Sequence, residues 1–251
     1  MNEMRLIGMN DVKLILSEIV KKGDAYKRGK ACVPNLIIMM DPGNGQTYTT
    51  EAITDILSEF ELREFHGLDE YLEYKPDGSK ASVDWMFSDI EDNAIYDNGY
   101  KGVVSVDISQ LTSVINQYQM RYFEENIRRV SENATVILYC STKLGVKGEK
   151  LVNRLKDALD NVRVIESYMF TPKDYAEMIV QNILERGIDV KDEEKIIKVL
   201  GEVVSEKNVK CAKDAIRMAE QLVFYADYTM AVPTLSFGKT EDFKTEFCME
   251  A

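Results

Sequence analysis

Short apolar runs alternate with amphipathic segments along the first two thirds of the chain. The runs at residues 36–40, 103–107 and 134–140 are almost continuously apolar, which is typical of strands buried on both faces of a sheet. Between them, apolar residues recur at three- and four-residue spacing, which predicts helices. The predicted strands cover residues 36–40, 103–107, 134–140 and 162–166, and the predicted helices cover 10–22, 47–60, 111–130 and 150–159. This alternation predicts an α/β fold whose parallel sheet is flanked by helices.

The pattern changes to helix alone after residue 170. Thr171 and Pro172 suit the N-cap and the first helical position, and Gly187 suits the end of that helix. Two more amphipathic helices are predicted at residues 192–204 and 210–226. We therefore predict an α/β domain over residues 1–170 and a small all-α domain over 171–228. Residues 229–251 form a tail that has no clear period from Pro233 onward, and we expect a surface arm or a disordered segment there.

Composition limits the class of protein. The chain has 251 residues, of which 45% are hydrophobic, so it can bury one large core or a large and a small one. It has no apolar run of the roughly 18 residues that a membrane span needs, and its start lacks the basic and apolar regions of a signal peptide. Four cysteines without C-x-x-C spacing and a single histidine give no framework for zinc. We expect a cytoplasmic protein with free thiols, away from membranes.

The negative charge is concentrated in one part of the sequence. The net charge is −12, and residues 51–100 contain 14 Asp and Glu against three Lys and Arg, which gives −11. An acidic surface repels a polyanion, so we expect no nucleic acid as a partner. The acidic stretch is either a solvated, loop-rich face or a docking surface for a basic partner.

A glycine turn between a strand and a helix carries the candidate chemistry. In the P-loop pattern G-x-x-x-x-G-K-[ST], backbone N–H groups surround the phosphates, the lysine contacts the β- and γ-phosphates, and the hydroxyl holds Mg²⁺. Aligned from Met40 to Thr47, this chain keeps the second glycine, Gly45, and the threonine. It has Met40 in place of the first glycine and Gln46 in place of the lysine. The same residues also suit an ordinary strand-to-helix turn.

If the turn binds phosphate, its backbone donors and the following helix dipole would do so. A neutral amide at position 46 can donate a hydrogen bond to a phosphate but cannot offset its charge. The candidate binding residues of the turn are Gly43, Asn44, Gly45, Gln46, Thr47 and Tyr48.

The order of five segments resembles that of an AAA+ ATPase over about residues 1–228. The segments LIGMNDVKLILSEIV, DPGNGQT, VVSVDIS, ATVILYCSTK and ESYMFTPKDYAEMIVQNILERG resemble, in turn, the linker, Walker A, Walker B, the sensor-1 strand and the entry to the helical lid. Within that class the chain is most similar to the CbxX and sporulation-stage-V-protein-K type. The resemblance implies a P-loop NTPase-like parallel sheet flanked by helices, followed by a small all-α lid domain.

The resemblance also implies roles for individual residues. Thr47 and Asp107 correspond to the Mg²⁺ ligands, Thr142 to sensor 1 and Lys213 to the sensor-2 position, with ATP or ADP and Mg²⁺ as the implied ligand. Arg154 lies where an arginine finger belongs. The position of the catalytic glutamate is occupied by Ile108. Asp107 is equally suited to be a strand-end carboxylate that caps a loop, and basic residues on helices are most often solvated.

The absence of the P-loop lysine and of the catalytic glutamate predicts a pseudo-ATPase. We expect a regulatory or structural interaction module with no catalytic residues, no hydrolysis, and weak or absent nucleotide binding. Its expected partner is a protein, either a second copy of the chain or an active AAA+ protein. The alternative is a slow or atypical ATPase that uses Gln46 and a carboxylate from elsewhere, for instance from residues 84–97.

Overall fold

The computed structural model describes residues 6–28, 32–63, 71–94, 100–114, 116–166 and 170–249, with backbone alone for 113–114 and 246–249. The chain divides into two compact units. The first comprises residues 1–42 and 46–168, and the second comprises 43–45 and 169–251. None of the helices in the described ranges has the length and apolar character that crossing a membrane requires.

The first unit is built on a five-stranded parallel sheet in the order β2-β3-β4-β1-β5. Every residue of β4 is buried, as are four of five residues in both β1 and β3, because helices cover both faces. The strands are β1 Asn35–Met39, β2 Tyr71–Tyr74, β3 Val103–Asp107, β4 Thr135–Cys140 and β5 Val162–Ile165. The predicted parallel sheet is confirmed.

Helices cover the sheet and complete the core of this unit. Their bounds are α1 Asn10–Lys21, α2 Gly23–Lys27, α3 Gln46–Glu59, α4 Lys80–Asp92, α5 Leu111–Val114, α6 Gln117–Ser131 and α7 Val146–Ala158. Phe123, Ile127 and Leu155 pack in a core with Val104 and Leu138 of the central strands.

One predicted helix is divided in two. Residues 111–130 were expected to form a single helix, but α5 ends at Val114 and a new helix begins at Gln117. Asn116 caps it: its Oδ1 accepts from the backbone N–H of Gln119 at 2.9 Å, and the Gln119 Oε1 accepts from the Asn116 N–H at 3.2 Å. This capping box satisfies donors that a new helix start leaves open, so the break is stable.

The second unit is helical, as predicted, apart from a pair of two-residue parallel strands. Its elements are α8 Pro172–Glu185, β6 Asp189–Val190, α9 Glu193–Glu206, α10 Ala212–Leu222, β7 Thr234–Leu235 and α11 Phe237–Met249. Thr171 caps α8 by a reciprocal pair of hydrogen bonds with Asp174, and Pro172 takes the first helical position.

The expectation of a loose arm after Pro233 is wrong. Strand β7 and helix α11 occupy that stretch, and Leu235 and Phe243 are buried in the core of the second unit. Helix α11 is mostly polar, and Thr240 and Phe243 are its side chains buried within the described part. Such a sparse apolar stripe gives almost no helical period in the sequence.

Candidate functional site

The turn after β1 begins as a continuation of the sheet. The N–H of Met40 donates to the carbonyl of Cys140 at 2.9 Å, and the Met40 side chain is buried. A side chain in the core therefore occupies the position of the first P-loop glycine. Further along, Gly43 and Gly45 have φ of 88° and 89°, which a residue with a Cβ adopts only with strain. The turn keeps its two glycines because this backbone requires them.

The Gln46 side chain forms a hydrogen bond within its own turn. Its side chain is buried, and Nε2 donates to the carbonyl oxygen of Met40 at 3.3 Å. The amide that replaces the lysine thus satisfies a carbonyl of its own loop and carries no charge. Tyr48 is half-buried in the first turn of α3.

A buried polar network holds the start of α3. The Tyr139 hydroxyl donates to the carbonyl of Gln46 at 2.9 Å, and Thr50 Oγ1 lies 3.0 Å from that hydroxyl and 3.2 Å from Ser105 Oγ. Burial raises the pKa of Tyr139 above its ordinary value, so the phenol stays protonated and remains a donor. Strands β3 and β4 therefore fix the helix that follows the turn.

The Asp41 carboxylate accepts from two hydroxyl groups that follow β4, the neighbour of β1. Ser141 Oγ and Thr142 Oγ1 both donate to Asp41 Oδ1, at 2.6 and 2.9 Å, and Lys143 Nζ lies 3.5 Å from Oδ2. Burial raises the pKa of the Asp41 carboxyl, but the two hydroxyl donors and the charge of Lys143 outweigh it and hold the pKa below its usual value. At neutral pH this position is an anion whose donors come from the chain itself.

Asp107 ends β3, and the next side chain turns inward. Asp107 is partly buried, and its Oδ1 accepts from the backbone N–H of Ser109 at 3.0 Å. Ile108 is fully buried in the hydrophobic core. A carboxylate at position 108 on this backbone would lie among apolar side chains rather than beside a substrate.

The two predicted Mg²⁺ ligands are bonded to different groups. Thr47 Oγ1 donates to Glu73 Oε1 at 3.1 Å, whereas Asp107 caps its own turn. Glu73 is on β2 and also lies 3.4 Å from Lys75 Nζ. Within the ranges that the structure describes, no three His, Cys, Asp or Glu side chains group as a metal site.

Several solved structures are similar to this fold. Three structures of RuvB from Thermotoga maritima match: a proline-to-glycine mutant, a lysine-to-arginine mutant, and the Holliday junction branch migration motor. Their TM-scores are 0.58, 0.58 and 0.54 at 15, 16 and 16% identity. The matches cover 98, 96 and 86% of this chain and 72, 70 and 62% of RuvB. The chain has an AAA+ ATPase fold.

Sequence comparison adds no relative, since no protein-family model matches the chain and no curated protein is significantly similar to it. The likeness to RuvB at this identity therefore concerns the fold.

Two basic residues singled out in the sequence, Arg154 and Lys213, make contacts within the chain. Arg154 forms a two-pronged ion pair with Glu124, in which Nη2 lies 3.1 Å from Oε2. Lys213 has an exposed side chain, and its backbone N–H donates to the carbonyl of Gly43 at 3.2 Å within the second unit. Also in that unit, the N–H of Ala212 donates to Asn44 Oδ1 at 3.3 Å. Lys213 thus contacts Gly43 through its backbone, while its side chain is exposed.

Several residues of the AAA+-like site were missed from the sequence. Asp41 comes just after the apolar run 36–40, and Asp107 ends the run 103–107, so a similar signal was present for Asp41. Glu73 and Tyr139 gave no such signal, because their contacts depend on strand order and register. Thr142, the predicted sensor-1 residue, follows β4 beside Ser141, and the hydroxyls of both donate to Asp41.

Proposed function

We propose that this chain is an AAA+-like pseudo-ATPase that serves as a regulatory or structural interaction module, without hydrolysis and with weak or absent nucleotide binding. The observation that carries the proposal is the buried Ile108 at the position of the water-activating glutamate. Phosphoryl transfer depends on positioning and on charge stabilisation, so a site without that carboxylate and without the P-loop lysine lacks its two main catalytic charges.

Two internal hydrogen-bonding arrangements support the proposal. Gln46 is bonded to its own loop, and Asp41 accepts from the hydroxyls of Ser141 and Thr142. An incoming phosphate would have to compete with a carboxylate for these hydroxyls and would meet its negative charge. Both effects weaken anion binding.

A residual ligand remains part of the proposal. ATP or ADP with Mg²⁺ would bind through backbone donors between Gly43 and Thr47, with Thr47 and Asp107 toward the metal and Thr142 and Lys213 toward the phosphates. We expect micromolar affinity at best, or none. Calorimetric titration of the full chain with Mg-ATP measures this directly.

Hydrolysis is the decisive experiment. Each missing charged group costs on the order of 3 kcal/mol of transition-state stabilisation, so we expect no ATP turnover above background. The control variant is Asp107→Ala, which removes the remaining carboxylate of the Walker B position. Turnover in the wild type that disappears in this variant would refute the proposal.

The partner would be a second copy of the chain or an active AAA+ protein, met in the cytoplasm. The Holliday junction branch migration role in the RuvB name is not part of the proposal, because a net charge of −12 opposes contact with a polyanion such as a nucleic acid. We keep similarity to the CbxX type as the finer family hypothesis. Light scattering across a concentration series would detect self-assembly, and a monomer at every concentration would leave the active AAA+ protein as partner.

One contact favours a second candidate function, a slow ATPase. Glu73 accepts from Thr47, which places a carboxylate beside the predicted Mg²⁺ ligand. Residues 84–92 of the acidic stretch lie on α4, where Asp89 accepts from the hydroxyl of Tyr74 at 2.7 Å. If slow turnover exists, Glu73→Gln should abolish it, while Glu91→Gln at an exposed position of α4 should not.

A further inference from the structure

A cavity of about 530 Å³ lies at the end of the sheet away from the glycine turn. In a parallel sheet all strands begin at one edge, and this cavity is lined by the residues that begin β1 or precede β3, β4 and β5, namely Asn35, Lys101, Asn133 and Asn161. Asp107 ends β3, and Asp41 and Ser141 come just after β1 and β4, so all three lie at the opposite edge. The cavity is therefore separate from the AAA+-like site.

Arg63 is the central cation of this cavity. The chain reaches it just after α3, where the N–H of Leu62 donates to the carbonyl of Leu57 and closes the helix end. Arg63 Nε donates to the hydroxyl of the buried Thr135 at 2.7 Å, and Nη1 donates to the carbonyl of Leu62 at 3.4 Å. These bonds hold the guanidinium plane in one orientation.

The guanidinium has no carboxylate partner among the residues that the structure describes, and its Nη2 makes no hydrogen bond there. Burial lowers the pKa of Arg63, which means that the charge is partly withdrawn from water. A partly buried arginine is normally paired with an anion, because leaving it unpaired costs free energy.

The carboxylates around the cavity are more exposed than Arg63. Glu61, Glu132 and Asp160 line it with exposed side chains, whereas Arg63 is partly buried. Glu61 is also paired with Lys27 at 2.9 Å. Solvent screens the exposed carboxylates more strongly than the partly buried guanidinium.

We propose that this cavity binds a small organic polyanion, whose phosphate or carboxylate group accepts from the remaining N–H donors on Nη1 and Nη2 of Arg63. A guanidinium presents parallel N–H donors that match either kind of oxyanion. The volume lies within the range of about 300–1,000 Å³ that is typical of small-molecule sites and exceeds what inorganic phosphate alone needs. This site is independent of nucleotide binding at the glycine turn.

The first test is calorimetric titration with two probes, citrate and inorganic phosphate. Wild type and the control Arg217→Gln, which removes an exposed charge from the second unit, should bind a probe equally. Arg63→Gln should bind the probe at least about tenfold more weakly than wild type. The affinity of Arg63→Lys should lie between the two, because lysine keeps the charge but lacks the parallel N–H donors of the guanidinium. Binding of citrate alone would identify a carboxylate site, and binding of phosphate alone a phosphate site. If neither probe binds, or if Arg63→Gln binds as well as wild type, the proposal is wrong.

A second test needs no change at Arg63, in case the variant folds poorly. Cys32 lines the cavity and is exposed, so it reports occupancy through its rate of alkylation by iodoacetamide, followed by peptide mass spectrometry. A bound probe should slow alkylation of Cys32 several-fold and leave Cys211 unchanged. Burial raises the pKa of Cys140 to about 11, so this thiol should stay unreactive and serve as a check of folding. Equal Cys32 rates with and without both probes would overturn the proposal.

Discussion

Ser141 Oγ lies 2.6 Å from Oδ1 of Asp41. The two residues follow the carboxyl ends of β4 and β1, which are neighbours in the sheet. In a nucleotide-binding site of this fold, hydroxyls at the end of β4 would be available to a phosphate. Here the Asp41 carboxylate accepts a hydrogen bond from each of these hydroxyls, those of Ser141 and Thr142. The turn thus carries its own negative charge beside the hydroxyls of Ser141 and Thr142.

Restoring the lysine should restore part of the binding. Gln46→Lys places a cation in the turn, and its amine can still donate to the Met40 carbonyl. We expect affinity for Mg-ATP to rise by about tenfold or more, which corresponds to about 1.4 kcal/mol. Gln46→Met, which has similar length and no charge, is the matched control and should not gain affinity. Equal titration curves for Gln46→Lys and wild type would argue that the turn is purely structural.

The Asp41 carboxylate should stabilise the fold in a pH-dependent way. Its folded pKa is lowered, so its contribution is present above the unfolded pKa of about 4 and is lost as the pH falls through the folded value. Asp41→Asn removes the charge but keeps an acceptor. We expect it to cost about 1 kcal/mol at neutral pH, after allowance for partial exposure, and progressively less in acid.

Urea denaturation at neutral and acid pH measures this difference. The exposed Asp157→Asn is the control and should change the free energy of unfolding little at either pH. A cost for Asp41→Asn that stays constant from neutral to acid pH would show that the carboxylate charge is not what Ser141 and Thr142 stabilise.

The buried polar network of Tyr139, Thr50 and Ser105 at the start of α3 should stabilise the fold. Tyr139→Phe removes the donor to the Gln46 carbonyl and leaves Thr50 in a buried site with one partner fewer. We expect a loss of about 1 to 2 kcal/mol in the free energy of unfolding, measured with urea. Tyr118→Phe removes the same atom from a side chain that is 77% exposed and should have almost no effect. Equal losses of unfolding free energy in Tyr139→Phe and Tyr118→Phe would contradict a stabilising role for the Tyr139 hydroxyl.

The sequence predicted the central strands because both of their faces are buried. Strands β1, β3 and β4 therefore appear as continuous apolar runs. Strand β2 is at the sheet edge, and its four residues alternate between buried and half-buried, so Tyr71–Tyr74 gave no comparable run. Helix α11 was missed for the related reason that few of its side chains are buried within residues 237–245, the part whose side chains are described.

Only those parts of the candidate site that consecutive residues form could be predicted from the sequence. The turn from Met40 to Thr47 and the strand-end Asp107 are local patterns. The contact between Thr47 and Glu73 joins different elements, and it arises because β2 pairs with β3 in one particular register. Register depends on tertiary packing, so residues such as Glu73 cannot be assigned from their own sequence neighbourhood.

The last prediction concerns the acidic stretch and partner choice. Helix α4 ends with Glu91 and Asp92, both exposed, within the part of the chain that contains nearly all the net charge. If this end is a docking surface, association should weaken as salt reduces the Debye length, which is about 8 Å at physiological ionic strength. Asp89 is unsuitable for substitution, because it accepts a hydrogen bond from Tyr74 and its loss would disturb the fold.

The test is capture of a partner at low and high salt by wild type and by the double variant Glu91→Gln, Asp92→Asn. Acidic residues in the last turn oppose the helix dipole, so the variant should melt at the same temperature as wild type or slightly higher. Glu125→Gln with Asp157→Asn removes the same charge from exposed positions outside the stretch and is the control. We expect the first variant to lose the partner and the control to keep it, because docking depends on where the charge lies. Equal retention by all three proteins at every salt concentration would identify the acidic stretch as a solvated face.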